Sequence, residues 1–238
     1  MQMRWRKTVV LLAAVVAMVV TARLGWWQLD RADTKTALAQ QRQSQGVLPA
    51  LSAADALALP LDATRHRPVV LTGRWVPEAT VFLDNRPMQG KAGFVVATPL
   101  RVSGRSEVVL VQRGWVQRDF QDRNRLPALH TPVDDVEVLG TVAPPPSQLY
   151  AFDASEQGAI RQNIDLGAYS EETGLPLSAW SVLQTGPDDP QFQRAWPQPG
   201  VDVSKHHGYA FQWFALCALI GLLYVWFQLI APLRARRS

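Results

Sequence analysis

Tyr209–Ala231 reads YAFQWFALCALIGLLYVWFQLIA and contains no charged residue. A bilayer core about 30 Å thick takes about 20 apolar helical residues to cross, so this stretch is long enough to span one. A buried core helix is rarely so long and so apolar. Its aromatics Tyr209, Trp213, Tyr224, Trp226 and Phe227 lie toward its two ends, where an interfacial belt would hold them. A second uncharged stretch, Thr8–Ala22 (TVVLLAAVVAMVVTA), lies at the other end of the chain. It is short, but Leu24, Gly25, Trp26 and Trp27 extend it, and Arg23 can snorkel to the headgroups between the two parts. Its basic start and Val20-Thr21-Ala22 end also permit a cleaved leader, whereas the Trp pair that continues it favours a retained span. The expected layout is a tail at 1–7, a first transmembrane helix at 8–27, a polar domain at 28–208, a second transmembrane helix at 209–231 and a basic tail at 232–238.

Arg4, Arg6 and Lys7 precede the first span and Arg234, Arg236 and Arg237 follow the second, with no acid among them. The stretch from Arg31 to His207 carries 17 Lys+Arg against 19 Asp+Glu, a net charge of −2. The positive charge of the chain therefore belongs to the membrane ends. Nucleic-acid binding, which wants a basic patch on the folded domain, is a poor fit. The positive-inside rule fits, with both termini cytoplasmic and the middle domain across the membrane. With no room for a transit peptide before Thr8, the expected setting is a bacterial inner membrane crossed twice, with the main domain periplasmic.

Cys217 is the only cysteine and lies inside the second span, which excludes a disulfide framework within one chain. His66, His130, His206 and His207 form no HExxH pattern, and GxSxG, P-loop and GxGxxG motifs are absent. Catalysis has no positive sign, and the chain is read as a non-enzyme.

The middle domain, at about 175 residues, is large enough for one core. Strand signals fall at Arg67–Val76, Ala79–Asp84, Gly93–Val102, Glu107–Gln117, Val136–Val142 and Ala179–Thr185, with breaks at Pro77-Glu78 and Ser103-Gly104-Arg105. Short spacing between neighbours predicts antiparallel pairing. Helices are expected at Asp33–Gln45, at Ser52–Leu59 with Ser52 and Asp55 forming the cap, and at Leu166–Thr173 closed by Gly174. Gln117–Pro132, with Arg118, Asp119, Asp122, Arg123 and Arg125, reads as an exposed loop. Gly186–Gly200, with four prolines, reads as a strap back to the membrane. The fold class is thus two transmembrane helices flanking an all-β or α+β extracytoplasmic domain. That domain is an antiparallel sheet or a partly closed barrel with peripheral helices; spacing alone does not choose between them.

Four groups of residues, in order, resemble the Surfeit-locus (Surf/Shy) family of cytochrome c oxidase assembly factors. Leu24-Gly25-Trp26-Trp27-Gln28-Leu29-Asp30-Arg31 is similar to the family's LGxWQxxR. Asp84-Asn85-Arg86 with Gly90, Gly93-Phe94 and Thr98-Pro99-Leu100 follow, then Gln112-Arg113-Gly114-Trp115-Val116, similar to nRGWv. His206-His207-Gly208-Tyr209-Ala210-Phe211-Gln212-Trp213 resembles HxxYAxxW, and counting back from Tyr209 puts the family's histidine at His206. Gln112 stands where an Asn is usual, and the histidine is doubled.

The resemblance implies a bacterial assembly factor that helps insert haem a into the catalytic subunit of cytochrome c oxidase. Its partners would be that subunit and the haem a synthesis machinery. His206 would be the iron ligand, with His207 its solvent-side neighbour. Trp27, Tyr209 and Trp213 would cover the macrocycle, and Arg31 or Lys205 would pair with its propionates. Two plainer alternatives stand beside this. The His and Trp residues also suit an ordinary interfacial belt, and the whole chain suits a cofactor-free membrane scaffold that holds oxidase intermediates together. Arg113-Gly114-Trp115 is read as structural, with a bulge or close approach at the Gly and Trp115 filling the core. His66 and His130 are read as surface residues.

Overall fold

All six expected strands between Arg67 and Thr185 form. The computed structural model describes residues 2–122, 125–148, 158–186, 189–196 and 203–235. Arg123, Arg236, Arg237 and positions 187–188 and 197–200 of the expected strap lie outside the described residues. The chain divides into two units, Arg42–Gln198 and a second made of Met1–Gln41 with Pro199–Ser238.

In the first unit the strands are β1 (Leu51–Ser52), β2 (Pro68–Trp75), β3 (Val81–Leu83), β4 (Gly93–Val102), β5 (Val108–Gln117), β6 (Val136–Ala143), β7 (Ile160–Arg161) and β8 (Leu177–Gln184). β2 pairs antiparallel with both β4 and β6, β4 pairs antiparallel with β5, and β6 pairs antiparallel with β8. A parallel pairing of β5 with β8 completes the ring. The domain is therefore a closed, mixed five-stranded barrel, with β1, β3 and β7 added outside the ring. Gly73 marks the closure, since it pairs with Val102 on β4 and with Val136 on β6. A Cβ there would lie 2.1 Å from the Arg101 carbonyl oxygen, so only glycine lets the two strands meet so closely.

Pairing departs from the expected antiparallel order in the parallel pairings β1–β2, β3–β7 and β5–β8, and at one pair of neighbours. β2 and β3 are neighbours in sequence but do not pair with each other. Pro77–Ala79 forms a 3-10 turn, and one edge of β4 receives first Gly73–Trp75 and then Val81–Leu83. Ten residues of β4 give both short segments room in line.

Val69, Leu71, Leu100, Val109, Val111, Val138, Val142, Trp180 and Val182, drawn from all five ring strands, fill the barrel. A second apolar layer lies outside β4 and β5, where Val95, Ala97, Val108, Leu110 and Trp115 meet Leu166 and Tyr169. That is why β4 and β5 are buried along nearly their whole length while β2 alternates. Among polar groups, the buried Gln112 amide donates to Ser181 Oγ at 3.0 Å, and Ser181 donates to the Pro144 carbonyl at 2.7 Å. These bonds tie β5 to β8 and to the proline run.

The local helix signals read true. Helix α2 (Ala53–Ala58) starts at Ser52, whose Oγ accepts from the Asp55 amide at 3.1 Å. A short α3 (Leu61–Thr64) follows. Helix α4 (Leu166–Thr173) is capped by Asp165 and closed by Gly174 at φ +66°. The strap is not loose where it is described. Phe192 is buried, and Gln193 exchanges two backbone hydrogen bonds with Trp115, at 2.8 and 2.9 Å. The loop after β5 is irregular as expected, yet Leu126 and Leu129 lean on the Phe94–Phe192 cluster.

The second unit holds two long helices. Helix α1 runs unbroken from Gln2 to Gly46, so the first apolar span and the helix expected at Asp33–Gln45 are one element. The residues after Asp30 are mostly good helix formers, and no proline interrupts them. Helix α5 covers Ser204–Val225 and continues through a π turn (Trp226–Ile230) into α6 (Ala231–Ala235). Pro232 brings no N–H to the ladder at that point, which suits the wider turn. Both helices are long and apolar enough to cross a membrane.

Candidate functional site

Within the helical unit, α1 and α5 face each other along stripes read directly from their burial. On α1 the less exposed positions include Ala14, Ala17, Met18, Thr21, Gly25, Gln28 and Ala32; on α5 they include His206, Ala210, Trp213, Phe214, Cys217, Gly221 and Tyr224. Both stripes follow the 3.6-residue period, and α1 offers mainly small side chains, as helices that pack closely in lipid do. Gly25 is where the fit is tightest, because a Cβ there would sit 2.8 Å from the Phe214 ring. Phe214 also meets the Trp26 ring edge-on, with centroids 5.8 Å apart. Lower on the seam, Cys217 Sγ donates to the Met18 carbonyl at 3.4 Å.

His206 lies in the first turn of α5 and is half-buried. Its Nδ1 is 2.8 Å from Oε1 of Gln28 on α1. Trp213, two helical turns along the same face, is half-buried as well. His207 points off the stripe and is exposed. Tyr209 and Trp27 each show about half of their surface, 53% and 52%. Arg31 lies one turn from Trp27, with its guanidinium 5.9 Å from that ring. Trp27 and Arg31 thus form a pair of their own on α1, beside the seam rather than in it. Sequence reasoning grouped His206 with Trp213, Tyr209 and Trp27 but did not single out Gln28 as the partner of His206. The only local hint was that Gln28 falls inside the Leu24–Arg31 motif.

The sequence of the SURF1 family matches residues 15–218 of this chain. The chain belongs to the SURF1 family. It is 24% identical over 221 residues to a SURF1-like protein of Rickettsia bellii, covering 90% of this chain and 88% of that one. A SURF1-like protein of Drosophila melanogaster is 28% identical over 235 residues, covering 88% and 74% of the two chains. The cytochrome oxidase assembly protein SHY1 of Saccharomyces cerevisiae is 26% identical over 137 residues, 53% of this chain and 34% of the yeast protein.

Within the barrel domain, Arg113, Trp115 and Arg86 are tied into the fold by packing and hydrogen bonds. Arg113 is the extra residue of a β-bulge, since Val96 pairs with Gly114 while Ala97 pairs with Gln112. The bulge turns its side chain out of the strand alternation. The guanidinium lies 4.8 Å from the Trp75 ring centroid and 4.6 Å from that of Phe192, and it donates to Thr131 Oγ1 at 2.7 Å. Burial pushes its pKa down to about 10; Asp189 opposes the shift and Arg194 adds to it. Arg113 therefore stays charged near neutrality. Trp115 fills the outer layer, its Nε1 donating to the Arg86 carbonyl at 2.6 Å. Arg86 in turn donates to Ser147 and to the Gln162 carbonyl. The bulge at Gly114 and the burial of Trp115 are as expected.

A separate cleft of about 390 Å³ opens in the barrel domain beside α4, lined by Glu78, Thr80, Arg161, Tyr169, Glu172 and Leu175 among others. Arg161 bonds Glu172 with both terminal nitrogens and stacks 4.8 Å over Tyr169, whose hydroxyl donates to the Ala79 carbonyl at 2.8 Å. The hydrogen bond from Arg161 keeps the Glu172 carboxyl below the usual range; burial opposes it, and the charge of Arg161 adds to the lowering. These groups satisfy one another, and they hold α4 against the barrel.

Of the two histidines read as surface residues, His130 is exposed and His66 is half-buried. His66 has φ +68°, and its amide donates to the Val142 carbonyl at 2.8 Å. Partial burial lowers its pKa, and Arg42 and Arg65 lower it further.

Proposed function

We propose that this chain assists assembly of cytochrome oxidase, holding haem a as cargo on its way to the catalytic subunit. Membership of the SURF1 family and the name of the yeast relative support the assembly role. The observation that carries the haem reading is His206. It is half-buried, and its Nδ1 is taken by an uncharged partner, which leaves Nε2 for an iron. Trp213 and the open ring of Tyr209 offer apolar surface on the same helix, and Arg31 or Lys205 would meet the propionates. The donor set fits haem bound through one protein ligand. When bound, haem brings only its need for an axial base and apolar cover. On this reading the protein is not a catalyst. It spans a bacterial inner membrane twice, with the barrel domain periplasmic and both termini cytoplasmic.

The test is an absorption spectrum of the detergent-purified protein, co-expressed with a haem a biosynthetic pathway. The parent is expected to show a Soret band. His206→Ala is expected to lose most of it at unchanged membrane abundance, and His207→Ala to lose less. Because the neighbours can substitute for each other, the double variant is the control. Full haem in the double variant, or none in the parent, overturns the ligand assignment and leaves a cofactor-free scaffold for oxidase intermediates in its place.

A further inference from the structure

The geometry points to Gln28 as the positioning residue for His206, an inference that rests on the haem-cargo reading. A neutral imidazole has one N–H and one lone pair, and whatever engages one nitrogen decides the role of the other. Gln28 Oε1 is an acceptor 2.8 Å from Nδ1, so the proton sits on Nδ1 and the lone pair on Nε2. The bond crosses from α1 to α5 between residues 178 positions apart. Gly25 sits one turn before Gln28 and Ala210 one turn after His206. Both are buried, and their small size lets the helices come close enough for a glutamine to reach.

The uncharged character of Gln28 also matters. A carboxylate on the far nitrogen of a ligating histidine raises its basicity and tightens its hold on the metal. A carboxamide fixes the same tautomer with a weaker pull. It suits a ligand that must hold iron and then give it up.

The full-length protein in detergent, with 15N-labelled histidine, tests this without any haem. The signal of His206 is assigned by its loss in His206→Gln. The parent is expected to show the Nδ1–H tautomer at His206. Gln28→Leu is expected to shift it toward Nε2–H, and Gln28→Glu to retain Nδ1–H. The same three proteins are then titrated with ferric haemin. Gln28→Leu is expected to weaken binding by about 10-fold and Gln28→Glu to tighten it by a similar factor, the range seen when the outer partners of ligating histidines are changed. Gln28→Glu should also lower the reduction potential of the bound iron, a change that a purely structural role for Gln28 would not produce. An Nε2–H tautomer in the parent, or equal haemin affinity and potential in parent and Gln28→Glu, overturns the assignment, even if Gln28→Leu fails to fold. A parent whose haemin spectrum is indifferent to the double change His206→Ala with His207→Ala, while its Nδ1–H tautomer is as expected, overturns the cargo reading instead.

Discussion

Arg113 illustrates how one inserted residue acquires its own job. The bulge lifts it from the ladder, and Trp75 and Phe192 take its guanidinium between their faces. Arg113→Ala would leave a gap between two rings and free the contact to Thr131. We expect it to lower unfolding free energy by about 2–4 kcal/mol in chemical denaturation. Arg113→Lys should recover little of this, because an ammonium has no plane to stack. His66 gives the domain a sensitivity to acid. Its native pKa lies below the ordinary 6.5, so between those values the unfolded chain binds more protons. Stability from this group is complete above about 6.5 and is lost as pH falls through that value, levelling off below the native pKa. Asparagine tolerates the positive φ without titrating, so thermal midpoints of His66→Asn should lose that part of the slope. At this scale the sequence was read correctly where the signal is local, as at Ser52 with Asp55 and at Gly174. Gly114 signalled the bulge, but the contact of Arg113 with Trp75 and Phe192 was out of reach, because those rings lie far along the chain. The bond between Gln28 and His206 was equally out of reach, because nothing in either segment names its distant partner.

Strands and helices were legible wherever a segment carries its own period. β4 and β5 appear with the hairpin between them, and both apolar helices appear where their charge-free runs lie. Partners were less legible. Proximity in sequence suggested that β2 pairs with β3, yet a long β4 serves them both. The parallel contact of β5 with β8 has no sequence signature either, since those strands meet only through the closed ring. Gly93 shows what this packing demands of one element. A Cβ there would lie 2.3 Å from both the Trp115 ring and the Val116 carbonyl oxygen. The carbonyl cannot swing aside as a flexible side chain would. Gly93→Ala should therefore cost about 1–3 kcal/mol, read as a lower thermal midpoint. Gly46→Ala, with nothing within 4 Å of the added carbon, is the neutral control.

For the whole molecule the first expectation is topological. If the acid-free tails stay on the cytoplasmic side, a reporter active only outside the cytoplasm should be silent when fused after Ser238. The same reporter inserted at Gln121, in the exposed loop after β5, should be active. Activity at Ser238 would contradict the orientation proposed above. The barrel adds a constraint of a different kind, one of time. β8 sits between β5 and β6, and it is the last strand of the ring to be synthesised. Until Gln184 is available, β5 and β6 each present a bare edge of unpaired backbone, the form in which β proteins are most prone to stick to one another. Nascent chains halted at Gly174 should thus remain sensitive to protease, and resistance should arise only after the final strand emerges. The protein would itself need shelter during the interval before its own ring can shut.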